Sequence, residues 1–198
     1  MTQSIKSSRT KLLIVFGLFL GPLFFALIWY YGLGAVFLPR AATNHAPLVQ
    51  PLVVLQPFTN LQLDQKEINL STLQGKWTVV HRLGDRCDQT CEKSLYNTRQ
   101  ARLALGKDAN RVQRLVLGSH VNQLEALGVD HADLALMLRI TGGLETQLMP
   151  LVESMSLQQD DALLVDPLGN VMMAIPFDLN PSHLLKDMKK LLKLSKIG

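Results

Sequence analysis

The stretch Trp77-Thr78-Val79-Val80-His81-Arg82-Leu83-Gly84-Asp85-Arg86-Cys87-Asp88-Gln89-Thr90-Cys91 decides how this chain folds. Leu73-Gln74-Gly75-Lys76 before it reads as a turn, and the apolar, partly β-branched run Trp77 to Leu83 reads as a strand. Gly84-Asp85-Arg86 interrupts the run, and a helix follows that extends to about Leu105, where Gly106 ends it. Cys87 and Cys91, the only cysteines in the 198 residues, are therefore expected between the end of a strand and the start of a helix.

Downstream, Val112 to Leu117 reads as a strand, Val121 to Leu127 as a short helix and the apolar run Leu134 to Ile140 as a further strand. Ala162 to Val165 and Val171 to Ile175 flank Asp166-Pro167-Leu168-Gly169-Asn170, a run suited to a tight connection, so they predict a hairpin. Asn180 then caps a helix with Pro181 at its first position. Leu184, Leu185, Met188, Leu191 and Leu192 give that helix one apolar face, while Lys186, Lys189, Lys190, Lys193 and Lys196 lie elsewhere on it. This order predicts an α/β, thioredoxin-like mixed sheet covered by helices. A flavodoxin-like parallel sheet is the alternative, and it accommodates the terminal hairpin less well.

Upstream, Leu12 to Leu38 contains 27 residues without a charge. As a helix it measures roughly 40 Å, more than the ~30 Å hydrocarbon thickness of a bilayer requires. A cleaved signal peptide has a shorter apolar core, of about 7 to 15 residues, although Ala41-Ala42-Thr43 would suit a cleavage site. Lys6, Arg9 and Lys11 precede the span and only Arg40 closely follows it, which places the N-terminus in the cytoplasm. The expected organisation is a cytoplasmic N-terminus (1–11), one transmembrane helix (12–39), a Pro-containing linker (40–57) and a periplasmic globular domain (58–198), anchored in the inner membrane. The net charge of +4 belongs to the flanks of the span. Setting aside Lys6, Arg9, Lys11 and Arg40 leaves 16 basic residues against 16 acidic ones, so the domain is neutral and nothing points to nucleic acid.

A cysteine at a helix start, with Arg86 beside it, is expected to ionise more readily than the reference thiol at about 8.5. At i and i+4 the two sulfurs can form a disulfide or hold one soft metal ion. A purely structural bridge would close a minimal loop and add little stability, which favours a redox or metal role for Cys87 and Cys91. Among the five histidines, His45 falls in the linker, His183 at the start of the last helix and His131 before the strand at Leu134. His81 shares a strand face with Trp77, Val79 and Leu83 and is expected to pack in the core. His120 is the best-placed third metal ligand, because a strand parallel to Trp77–Leu83 would deliver it to the edge that holds the cysteines. Met149, Met155, Met172 and Met173 are soft donors in apolar runs, where methionine usually packs.

Taken in order, Pro57-Phe58, Leu73-Gln74-Gly75-Lys76-Trp77-Thr78-Val79-Val80, Cys87-x-x-x-Cys91, Asp166-Pro167-Leu168-Gly169-Asn170 and the lysine-rich last helix resemble the Sco/SenC family of cytochrome c oxidase assembly proteins. Cys87-Asp88-Gln89-x-Cys91-Glu92-Lys93 with Leu95-Tyr96-Asn97-Thr98-Arg99-Gln100 and Gly169-Asn170-Val171-Met172-Met173 narrows the likeness to Sco-related membrane proteins of gamma-proteobacteria. The resemblance runs from about Pro57 to the C-terminus. It implies a thioredoxin-like fold, a partner in cytochrome c oxidase or its assembly factors, and optional Cu(I) binding through Cys87 and Cys91. The family's copper-ligand histidine would fall at or near Gln158, where this chain has none; the family's proline between the cysteines is missing too, as is a proline just before Ala162, where dedicated thioredoxin-type oxidoreductases place a cis-proline. Three roles follow: a thiol-disulfide factor in oxidase assembly, a Cu(I) metallochaperone, or a thioredoxin-like docking scaffold.

The charge asymmetry around the span makes a direct prediction. A reporter fused after Gly198 is expected to be active only where it functions outside the cytoplasm; activity of a cytoplasm-only reporter at that position would reverse the orientation.

Overall fold

In a computed structural model, residues 2–33, 43–61, 67–84, 86–120, 126–127, 133–134, 136–139, 143–195 and 197 are described. The chain divides into two compact units, Met1–Thr43 and Asn44–Gly198. The first contains helix α1 (Thr2–Ile28), which ends in a π-helical turn, Trp29–Leu33. Within it Arg9–Gly32 is long and apolar enough to cross a membrane. Pro22 lies inside α1, a position that membrane helices tolerate.

The second unit is built on a mixed sheet of β1 (Leu48–Val54), β4 (Trp77–Arg82), β5 (Val112–Gly118), β6 (Leu136–Arg139), β7 (Ala162–Val165) and β8 (Asn170–Ile175), in the order β1-β8-β7-β4-β5-β6. β4, β5 and β6 are parallel, and β7 runs antiparallel to β4. The antiparallel pairing excludes the flavodoxin-like alternative and gives the thioredoxin-like arrangement. A small antiparallel pair, β2 (Thr59–Leu61) and β3 (Glu67–Asn69), leads into the one-turn helix α2 (Leu70–Leu73).

Every residue of β4 is buried, so the strand needs cover on both faces. Trp77 and Val79 pack in one cluster with Ala101 and Leu105 and with Leu184, Met188 and Leu192. These come from α3 (Gln89–Leu103), the turn after it, and α5 (Pro181–Leu194). Val80 packs on the other face with Leu144, Leu148 and Leu151 of α4 (Leu144–Ser154). The β7–β8 turn closes on Asp166, whose carboxylate accepts from the N–H groups of Leu168 (2.9 Å) and Asn170 (2.8 Å), while Gly169 takes a positive φ of 96°. Asn180 caps α5 by accepting from Ser182 N at 2.9 Å, and the described lysines of that helix are exposed.

Two elements differ from expectation, and a buried arginine is added to the core. Leu48–Val54, expected within the linker, is edge strand β1, pairing antiparallel with β8. An edge strand needs partners on one side only, so Pro51, which lacks an N–H, is tolerated there and its presence obscures the pattern. α3 stops at Leu103, and Gly106, at φ 61°, instead opens a 3-10 turn, Gly106–Arg111. Arg114, on the central strand β5, is fully buried. It donates from Nη1 to Asp133 Oδ2 at 2.7 Å and from Nη2 to the Leu95 carbonyl at 2.7 Å, and Arg99 approaches the same carboxylate at 3.3 Å. Of the expected helix at Val121 to Leu127 only residues 126–127 are described, and they are helical; His131 lies outside the described residues.

Burial pushes the Asp133 carboxyl upward, but the hydrogen bond and charge of Arg114, with the charge of Arg99, outweigh it and leave the group below its ordinary value. A lowered folded-state value means stability that is complete above the unfolded value of about 3.9 and is lost as pH falls through the folded one. Asp133→Ala, which strands the Arg114 guanidinium in the core, is expected to cost about 3 kcal/mol in urea unfolding at neutral pH. The gap to wild type should narrow below about pH 4.

Candidate functional site

Cys87 and Cys91 are joined by a disulfide, with Cα atoms 5.1 Å apart, where the chain leaves β4 and enters α3. Cys91 is only 2% exposed and packs with Leu83, Leu95, Val116, Leu127 and Leu134, whereas Cys87 is half-buried against that cluster. The sulfur nearer the loop is therefore the more accessible one.

The helix start carries a carboxylate at its cap. Asp88 is its N-cap, and Oδ1 accepts from Thr90 N at 2.9 Å, Cys91 N at 3.2 Å and the Thr90 hydroxyl at 2.6 Å. The Thr90 side-chain hydrogen bond, followed by those from the N–H groups of Cys91 and Thr90, holds the Asp88 carboxyl below its ordinary value. A carboxylate thus occupies the N–H groups that would otherwise stabilise a thiolate, and it places negative charge beside the sulfurs. Arg86 is exposed.

The segment before β7 closes over the cysteine loop. Asp160 Oδ2 accepts a hydrogen bond from the same Thr90 hydroxyl, and the side chain of Gln159 lies against Gly84, where a Cβ would meet Gln159 Cγ at 3.3 Å. Asp161 fixes the segment internally, accepting from Gln158 N at 2.9 Å and from Phe177 N at 3.0 Å. Gln158 itself is exposed, and its carbonyl accepts from Arg82 Nη2 at 3.2 Å. Arg82, 6% exposed, ends β4 beside the site. Burial draws its guanidinium below its ordinary value, opposed by the charges of Glu145, Asp161 and Asp160. Among the described residues Gln50–Pro51 is the only cis peptide, so the bond before Ala162 is trans.

The remaining histidines do not gather at the cysteines. His81 is 3% exposed and sits on the α3 face, with Nε2 3.0 Å from Thr98 Oγ1 and Nδ1 3.5 Å from Ser94 Oγ, a core histidine as expected. β5 does run parallel to β4, with Leu83 N donating to the Leu117 carbonyl at 2.8 Å, so His120 leaves the sheet on the cysteine edge, where it is exposed. Among the described residues, however, no group of three His, Cys, Asp or Glu side chains is arranged to hold a metal ion. His45 and His183 stack at 4.2 Å between ring centroids, and His45 Nδ1 lies 3.0 Å from the buried carboxylate of Asp187. That cluster ties the entry of the domain to α5. Met155 and Met173 pack in the cores, Met172 lies against the α5 core, and Met149 lies near Arg82.

The sequence of the family described as transmembrane-like, thioredoxin-like, C-terminal domain matches residues 77–195, more than half of the chain. The chain belongs to this family. Its fold is also that of Sco proteins. Copper-bound Arabidopsis thaliana ScoI is 17% identical, with 72% of this chain and 99% of that one covered and a TM-score of 0.57. Copper-bound yeast Sco1 is 16% identical, with 72% and 90% covered and a TM-score of 0.57. BsSco, described as having a disulfide switch and as a member of the Sco family of cytochrome c oxidase assembly proteins, is 16% identical, with 72% and 95% covered and a TM-score of 0.54. At these identities the likeness establishes the thioredoxin-like fold. No curated protein matches the chain in sequence.

Sequence reasoning singled out the cysteines but not Asp88, Asp160 or Arg82. The Asp88 cap had a signal, a helix-capping residue type just before the helix. The other two had none, because Arg82 sits in an ordinary strand run and Asp160 is brought to Thr90 across 70 residues. If Asp88 opposes the thiolate, Asp88→Asn, which keeps a side-chain acceptor without the charge, should alkylate faster. The reduced protein is expected to react with iodoacetamide at pH 7 at least about threefold faster than wild type, since the thiolate is the reacting form.

Proposed function

We propose that this protein is a membrane-anchored, Sco-like factor in cytochrome c oxidase assembly that works as a dithiol/disulfide couple through Cys87 and Cys91, with its domain on the outer side of the inner membrane. The observation that carries the proposal is the pair itself: an accessible sulfur joined to a buried one, at the strand-to-helix junction of a thioredoxin-like sheet. Cys87 attacks a disulfide of the partner and forms a mixed disulfide. Cys91 then displaces the partner's sulfur as Cys87 and Cys91 become bonded, so the partner leaves with two thiols and two electrons. A copper-site subunit, whose cysteines must be reduced before they can hold the metal, fits this chemistry, and BsSco supports it by analogy of fold.

Copper as cargo is the second reading, favoured by the copper-bound relatives. Among the described residues no third His, Cys, Asp or Glu side chain is grouped with the two sulfurs, which leaves the thiol role the better supported of the two. No step is assigned to the metal. The resemblance puts the family's histidine at or near Gln158, whose amide would be a poor donor for a soft cation.

Two experiments separate these roles from a docking scaffold. Cys87→Ser and Cys91→Ser are each expected to abolish oxidase maturation while leaving the protein in the membrane at near wild-type level; normal maturation in the double variant would leave only the scaffold. Gln158→His, on the segment that closes over the cysteine loop, is expected to tighten Cu(I) binding by the reduced protein at least about tenfold, or roughly 1.4 kcal/mol. The gain should vanish with Cys87→Ser. Unchanged affinity in Gln158→His together with copper loss in His120→Ala would identify His120 as the third ligand.

A further inference from the structure

Thr90 lies between the two cysteines, and its hydroxyl is within hydrogen-bond reach of two carboxylates from opposite sides. Asp88 belongs to the cysteine loop, and Asp160 belongs to the segment before β7. A hydroxyl has one proton to donate, so it serves one carboxylate at a time and can bond Asp160 only when it is not bonding Asp88. Among the described residues the other charges near the pair are few. Arg82 feels the charges of Glu145, Asp161 and Asp160, Arg86 and Glu92 are exposed, and the Lys93 ammonium lies over the Phe177 ring, 5.9 Å from its centroid.

We infer that Asp160 is a positioning residue for the Cys87–Cys91 couple, acting through the Thr90 hydroxyl to clamp the cysteine loop in its bridged form and to keep the reduced form poor in thiolate. The clamp has two physical parts. The hydrogen bond pins the middle of the Cys87–Cys91 loop to a segment that Asp161 and Arg82 hold rigid, which favours the geometry in which the sulfurs meet. The second carboxylate adds to Asp88 in opposing negative charge on sulfur. Both parts disfavour the dithiol relative to the disulfide, so the couple becomes more strongly reducing. Reducing power is what a donor of electrons to a partner disulfide needs, and in this sense the inference deepens the proposed thiol role and rests on it.

The test is a thiol-disulfide equilibrium with glutathione, on the full chain in detergent micelles. In that reaction two protein thiols become one disulfide while glutathione disulfide takes the two electrons and two protons as two glutathione thiols. Asp160→Asn is expected to move the equilibrium at least about tenfold toward the dithiol, a shift of about 30 mV. Thr90→Val should do the same, Thr90→Ser should keep the wild-type equilibrium because it retains the hydroxyl, and Asp160→Asn combined with Thr90→Val should shift no further than the larger single change. An equilibrium within about twofold of wild type in Asp160→Asn, or full additivity in the double variant, overturns the inference. Should Asp160→Asn fail to fold, the contrast between Thr90→Val and Thr90→Ser decides alone: equal equilibria in those two overturn it. The glutathione equilibrium does not depend on any cellular partner, so this result and the oxidase-maturation result can fail separately.

Discussion

Burial of β4 on both faces is the constraint on which the rest of the domain depends. Six consecutive residues, Trp77 to Arg82, are withdrawn from water, and only a strand with sheet neighbours on both edges and helices above and below can satisfy that. β5 and β7 supply the edges, α3 and α5 one cover, α4 the other. Once β4 is central, the chain leaving it at Leu83 must emerge at the rim of the sheet. The cysteine loop is the first thing it meets there.

That position also explains the polar residues inside the core. His81, Arg82 and Arg114 are all buried on β4 and β5, and each is matched by a neighbour. Thr98 and Ser94 face the imidazole, the Gln158 carbonyl accepts from Arg82, and Asp133 with the Leu95 carbonyl faces Arg114. Buried polar groups without such partners cost more than an apolar residue would, so these contacts fix which loops lie against the sheet. Through Arg82 and Asp161 the segment 158–161 acquires a defined place beside Gly84 and Thr90.

The electrostatics of the cysteine loop then depart from those of a bare helix N-terminus. A dipole and free N–H groups favour a thiolate, but here Asp88 takes up the N–H of Thr90 and of Cys91. The carboxylate caps the helix whatever the redox state of the cysteines.

Much of this was legible in the residues. Trp77 to Leu83 is apolar enough to be a buried strand whatever surrounds it, Asp166 to Asn170 can only turn, and Asn180-Pro181 can only start a helix, so local chemistry determined the order of elements and the place of Cys87 and Cys91. The uncharged run from Leu12 was equally plain, because hydrocarbon solvation depends on composition and length. Leu48–Val54 was not, since an edge strand owes its form to the partner β8 and its own Pro51 argues against it. Nor could the sequence show Asp160 against Thr90 or Asp133 against Arg114. Single acidic residues in loops look alike in one dimension, and only the packing of distant segments decides which of them faces a cation, a hydroxyl or water.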